Sequence, residues 1–330
     1  MDKKKAVKTI AVYAALIIVV LLLIVISIGA GSGRASFFQV VRGIFAGNET
    51  VRVLISVNMP RTLVAFFSGA ALSVSGVLFQ SVTRNKFADP AIIGVSPAGF
   101  TGGLIATVLL SASAIFVSLF SVVFSLAVFA LIFWFSYERG VKSNKILALG
   151  AAVNAVLVMV ILTIAVMQNF AATSVILSLA GSLAVPKPDV VHTSVVFSMA
   201  GILAAFLLAG KCNVLTLGDK TASGLGVNVL QTKIALILVA VFLAATAAVH
   251  VGITAFLGLI APLIARKILG ANHYNIIPLS AVLGGLILLS ADCFGRTLGT
   301  PVTLPVGIIV TVVGGCLFIT LLGRSYNYAD

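Results

Sequence analysis

Few side chains in this sequence are equipped for chemistry. The 330 residues include only eight Asp and Glu and three His. Asp292 is the one serious carboxylate within an apolar run, the kind of group that binds an ion or proton inside a membrane. His192, His250 and His273 read as interfacial polar residues. Cys212, Cys293 and Cys316 form no CxxC or Cys/His cluster, which predicts free, mostly buried thiols and no metal site. No GxxxxGK[ST] phosphate loop, HExxH or GxSxG occurs, so neither nucleotide hydrolysis nor the common hydrolytic chemistries are supported. The densest set of special residues is RNKFADPAIIGVSPAG, 84–99, with Arg84, Asn85, Lys86, Asp89, Pro90, Gly94, Pro97 and Gly99. A second is KCNVLTLGDKTASGLGVNVLQTK, 211–233.

The elements that must position these residues follow from composition. Hydrophobic residues make up 61% and charged ones 9%, against about 25% charged in soluble domains. Mean hydropathy is +1.23. The apolar runs are continuous rather than alternating, which predicts an all-α polytopic membrane protein and excludes a β-barrel. The net charge of +13 is scattered between apolar runs, so it does not mark a nucleic-acid partner. The N-terminal MDKKKAVKTI precedes an uncharged run, 9–33, longer than a signal-peptide core. It reads as a retained first span.

Charge-free runs place ten spans at about 9–29, 61–83, 91–110, 114–136, 146–166, 190–209, 232–249, 253–269, 276–294 and 304–322. With this count, fifteen of the 21 Lys and Arg fall on the side of the termini. The positive-inside rule then puts both termini in the cytoplasm of a multi-pass protein. The chain reads as one transmembrane domain over 1–330.

Both special stretches lie on the cytoplasmic side. In 84–99, Asp89 is a natural helix cap and Pro90 suits a first helical position. Gly94 and Gly99 allow close helix approach. In 211–233, a short helix, a glycine break and a second short piece are expected. Leu215, Leu217, Leu225 and Val227 offer apolar anchors for a groove on another protein. Gln80 lies on a helix of small residues, Gly69, Ala70, Ser73 and Gly76, where it lines a path or bonds a neighbouring helix. Asn154 and Gln168 are similar cases. Such a chain is a channel, a secondary transporter or one part of a pump. If it works actively without Asp292, energy enters through a partner.

Four stretches carry a resemblance. They are MPRTLVAFFSGAALSVSGVLFQSVTRNKFADPAIIGVSPAG (59–99), LTLGDKTASGLGVNV (215–229), GITAFLGLIAPLIARKILGANHYNIIPLSAVLGGLILLSAD (252–292) and LPVGIIVTVVGGCLF (304–318). In order and spacing they resemble the FecCD-type permease family, the membrane subunits of bacterial ABC importers for iron-siderophores, haem and cobalamin. The resemblance implies the type II importer permease fold in the bacterial cytoplasmic membrane. It implies a second permease, as a like copy or a paralogue, around a central path. It further implies two ATPase subunits beneath and an external binding protein. ATP is then used by the partner ATPase and no cofactor is bound by this chain.

Residue by residue, the resemblance makes Leu217, Gly218, Asp219, Ala222, Leu225 and Gly226 the ATPase-coupling elbow. Arg61 and Arg296 become docking arginines for the binding protein. The family often has a further arginine where Asn58 stands, so either one ion pair is missing or Arg52 substitutes. Asn85 and Phe87, with Ser143 and Asn144, become the cytoplasmic gate. Lys86 stands where the family has proline, and reads equally as a plain topogenic charge. The cargo reading is a ferric-siderophore or related iron chelate. Haem or cobalamin is the alternative within the family, when the histidines become candidate haem contacts. An ion-coupled transporter using Asp292 is the alternative outside it.

Overall fold

The computed structural model describes residues 3–30, 37–136, 143–168, 177, 179–181, 183, 186–298 and 303–326. The described residues form helices and turns, with no strand. In chain order the helices are α1 (Lys3–Gly29), α2 (Phe37–Ala46), α3 (Glu49–Thr83), α4 (Val95–Val108), α5 (Ala114–Ser136), α6 (Ser143–Met167), α7 (Pro188–Leu207), α8 (Ala209–Leu215), α9 (Asp219–Gly224), α10 (Val229–Val251), α11 (Leu257–Leu269), α12 (His273–Leu298) and α13 (Val306–Tyr326).

Ten of these answer the ten expected spans one for one. Seven, α1, α3, α5, α6, α7, α10 and α12, are long and apolar enough to cross a bilayer. Helix α4 and the apolar part of α13 are shorter. Helix α11 has 13 residues and carries Arg266 and Lys267 in its last turn. Many large apolar side chains remain exposed, among them Ile17, Leu21, Trp134, Met159, Leu203 and Ile319. On a membrane-spanning chain such surface faces lipid or another subunit.

Two features depart from the expected spans. Helix α3 begins twelve residues earlier than position 61, and α2 precedes it. The expected span rests on the charge-free run that opens after Arg61. The chain instead carries the helix through Pro60. Asn48 starts it, its side chain accepting from the Thr50 N–H at 3.0 Å, with Glu49 in the first turn. An acid and an Asn cap at a helix start are both favourable. Helix α4, by contrast, starts late, at Val95 rather than near 91. Gly94 at φ 96 caps it in the left-handed region that glycine adopts without strain.

Helix α3 runs through the centre of the packing. From Thr62 to Val82 almost every residue is buried, as befits a helix surrounded on all sides. It packs most extensively against α12 and α10, and also against α7 and α11. Close crossings explain the small residues. A Cβ at Gly69 would collide with the Gly284 carbonyl, and one at Gly76 with the Gly258 carbonyl. Serines stitch the crossings, with Ser75 Oγ donating to the Ala240 carbonyl at 2.7 Å and Ser121 Oγ to that of Ala245 at 3.1 Å. Small residues and interhelical hydrogen bonds are how helices associate where lipid removes the hydrophobic drive.

Candidate functional site

The polar residues gather at the two ends of the helix assembly. One end is where α3 finishes. Arg84 terminates α3 at φ 52, a left-handed conformation that is uncommon outside glycine. A tight turn follows. Asn85 Oδ1 accepts from the Phe87 N–H at 2.9 Å, and the Asn85 carbonyl from the Ala88 N–H at 3.2 Å. Such an Asx turn fixes the direction in which Phe87 leaves the chain.

Asp89 is fully buried and caps the next turn, its Oδ1 accepting from the Ala91 N–H at 2.9 Å. So the Asp89–Pro90 pair starts an isolated turn rather than α4. Asn154 of α6 holds this turn by donating to the carbonyls of Ala91 at 2.9 Å and Ile92 at 3.3 Å. Gly150 lies so close that an added Cβ would stand 2.6 Å from the Ile93 carbonyl oxygen. Asp89 Oδ2 faces the first turn of α11 at Gly258 without closing a hydrogen bond.

Burial pushes the Asp89 carboxyl up from 3.8 to about 6, opposed by the backbone N–H groups around it. The folded state therefore favours the proton. That contribution is complete below the ordinary value and is lost as pH rises to about 6. Between pH 7 and pH 5 the thermal midpoint of the purified protein is expected to rise relative to that of Asp89→Asn. The full effect, reached only in stronger acid, is roughly 3 kcal/mol. A difference between the two proteins that stays constant with pH would contradict this.

Phe87 meets one aromatic ring from a distant helix and, through it, a second. Its centroid lies 5.5 Å from that of Phe318 on α13, edge to face. Phe318 in turn lies 5.6 Å from Phe256. Phe256 sits at φ 66 as the residue that starts α11, a strained conformation for a bulky side chain. Ser143 and Asn144 open α6, but their side chains lie outside the described residues.

The elbow occupies the same end. Helix α8 buries Ala209, Cys212 and Leu215. Asn213 Oδ1 accepts from the His273 N–H at 2.9 Å and pairs with His273 Nδ1 at 2.8 Å. His273 Nε2 bonds Ser81 Oγ at 2.9 Å. His273 thus ties the elbow to α12 and α3. Gly218 and Gly226, at φ 102 and 78, bracket α9. Ala222 is buried, whereas Leu217 and Leu225 are 60% and 61% exposed. Asp219 Oδ2 accepts from Lys233 Nζ at 2.9 Å and Arg84 Nη2 at 3.4 Å.

Gln80 is 4% exposed. Its amide donates to the Gly258 carbonyl at 3.2 Å, and its oxygen accepts from Arg266. The structure thus places it between α3 and α11 as an interhelical bond.

At the other end Arg61 and Arg296 come together on one carboxylate. Asp292 is fully buried, and Arg61 and Arg296 are 8% and 3% exposed. Arg61 approaches Asp292 Oδ1 through Nη2 at 2.7 Å and Nε at 3.0 Å. Arg296 Nη2 is 2.9 Å from Oδ2. Arg296 also donates to the Ser27 carbonyl and hydroxyl at 3.1 and 2.6 Å and to Asn58 Oδ1 at 3.1 Å. Asn58 Nδ2 donates to the Ile28 carbonyl at 2.8 Å. So Asn58, in the place of an arginine, joins α1, α3 and α12, while Arg52 is exposed nearer the start of α3. The cluster carries two positive charges and one negative.

Sequence reasoning singled out Asp292, Arg61 and Arg296 without seeing that they meet. It also missed Phe256 and Phe318, which are two of 21 phenylalanines, and the tethers made by Lys233 and His273. The left-handed Phe256 has no sequence signature, because its neighbours Thr254, Ala255 and Leu257 carry no turn signal.

Comparison with known proteins places this geometry. The model of the FecCD transport family matches residues 17–324. The Fe(3+)-citrate import system permease protein YfmD of Bacillus subtilis is 28% identical, over 98% of each chain. The iron(3+)-hydroxamate import system permease protein FhuG of the same species is 32% identical, over 98% of this chain and 99% of its own. A solved inward-facing ABC transporter of the metal-chelate type superposes with a TM-score of 0.79 at 25% identity, covering 96% of this chain and 99% of that one. With seven helices long and apolar enough to span a bilayer and a family match over nearly its whole length, the chain is a multi-pass membrane protein belonging to the FecCD transport family.

Proposed function

We propose that residues 1–330 form the permease subunit of an ATP-driven importer. It carries a ferric-siderophore or related iron chelate across the cytoplasmic membrane of a bacterium by alternating access, with both termini in the cytoplasm. Haem and cobalamin are the alternative cargoes. The relatives named for iron-citrate and iron-hydroxamate import support an iron chelate. A second permease subunit completes the path. Two separate ATPase subunits hydrolyse the ATP, and a binding protein delivers the cargo from outside.

One observation carries this reading. The elbow of α8 and α9 is fixed on its inner side by Cys212, Leu215 and Ala222, yet presents Leu217 and Leu225 outward. Two large apolar side chains held rigidly at an aqueous face suit a groove on a partner protein. Leu217, Gly218, Asp219, Ala222, Leu225 and Gly226 are thus the ATPase-coupling residues. Asn85 and Phe87, with Ser143 and Asn144, form the inner gate. Arg61 and Arg296, with Asp292 between them, offer one net positive charge to an acidic binding-protein surface. Gln80 braces the path wall rather than contacting cargo. The ion-coupled alternative loses its site, because both Asp292 oxygens already accept from guanidinium groups.

The test is co-purification with the neighbouring ATPase and binding protein, followed by ATP hydrolysis in the presence of ferric citrate, a ferric hydroxamate, haem and cobalamin. Stimulation by one loaded binding protein supports the reading and names the cargo. Failure of the ATPase to associate contradicts it.

A further inference from the structure

The elbow and the cluster of Phe87, Phe318 and Phe256 are joined by one side chain. Arg84 ends α3, stands directly before the Asn85–Ala88 turn, and reaches across to Asp219 at the first position of α9. Its Nη1 lies 3.5 Å from where a Cβ on Gly218 would stand. Lys233 of α10, almost wholly buried, grips the same Asp219 oxygen. From Arg84 the chain turns within three residues to Phe87, whose ring meets Phe318 and, through it, the strained Phe256.

We propose that Arg84 is the positioning residue through which movement of the elbow reaches the inner constriction formed by Phe87, Phe318 and Phe256. This rests on the importer reading above and adds to it the part that transmits the stroke. Displacement of α9 carries Asp219 with it. Asp219 pulls on Arg84, and the hydrogen-bonded turn makes Phe87 follow. Phe318 and Phe256 are the surface from which Phe87 lifts. Lys233 lets the same displacement act on α10. The left-handed Arg84 is the hinge, since helix α3 behind it is buried and cannot follow.

The Arg84–Asp219 pair is nearly half exposed on both sides. An exposed pair contributes little to stability, so its loss reads out as coupling rather than unfolding. The experiment measures cargo accumulated per ATP hydrolysed by the complete complex in proteoliposomes, with the thermal midpoint as control. Arg84→Gln is expected to lower that ratio about tenfold, and Asp219→Asn by at least that factor, because it also releases Lys233. The double variant falls no further than Asp219→Asn alone, because Arg84 acts only through Asp219, whereas Asp219 also holds Lys233. Arg84→Lys keeps the ratio within about twofold of the parent. Lys86→Gln, which removes an exposed basic charge two residues away, leaves it unchanged. Additive losses, or equal losses for Arg84→Gln and Lys86→Gln, overturn the proposal while leaving the importer reading standing. A parent complex that accumulates no cargo with ATP overturns both.

Discussion

Asp292→Asn is expected to prevent stable folding of the chain or to lower its thermal midpoint severely. The replacement leaves the Arg61 and Arg296 guanidinium groups buried without the carboxylate that compensates them. Breaking one partner out of a buried ion pair costs about 3–5 kcal/mol, and here two cations are stranded at once. The same change removes the Arg61–Asp292 ion pair between α3 and α12. Scanning fluorimetry or detergent-resistant yield reports the loss directly. Adding Arg61→Gln to Asp292→Asn is expected to recover part of it, because one stranded charge is removed. A lone Asp292→Asn protein as stable as the parent would show that the cluster is solvated and open. The carboxylate would then be free to serve another role.

Leu217→Asp combined with Leu225→Asp is expected to abolish association with the ATPase while leaving the permease folded. Both side chains are about 60% exposed, so the chain itself loses little. Burying a leucine against a partner is worth about 1.5–3 kcal/mol. Removing two such anchors weakens binding roughly a thousandfold on the usual conversion of free energy to affinity. A charge forced into the same groove adds to that. Pull-down of the ATPase by the purified permease reads the result. Unimpaired association would place the docking surface elsewhere.

The spans were legible because lipid imposes a simple rule. Runs long enough to cross must lack charge; seven helices meet that rule, and the shorter α4, α11 and α13 stand at the other three expected spans. Helix α3 begins before the charge-free run because Asn48 caps it and it runs on through Pro60, with Arg61 buried against Asp292. Helix α4 starts late because Gly94 and the packing of Gly150 and Asn154 impose a turn that the Asp89–Pro90 signal places one element too early. The elbow was legible through Gly218 and Gly226, whose positive φ values few other residues tolerate. The clustering of Arg61, Asp292 and Arg296 was not. Two of the three lie 231 positions apart, and no local pattern links them. The same holds for Phe87, Phe318 and Phe256, which carry no mark among many phenylalanines. The tertiary meeting of distant helices, rather than residue type, makes those sites.

The most direct measurement is uptake of ferric citrate and a ferric hydroxamate into proteoliposomes holding this chain, its ATPase and its binding protein, with and without trapped ATP. Accumulation that needs all three proteins and ATP is the predicted result. Flux through the chain alone, without ATP, would contradict the account at its centre.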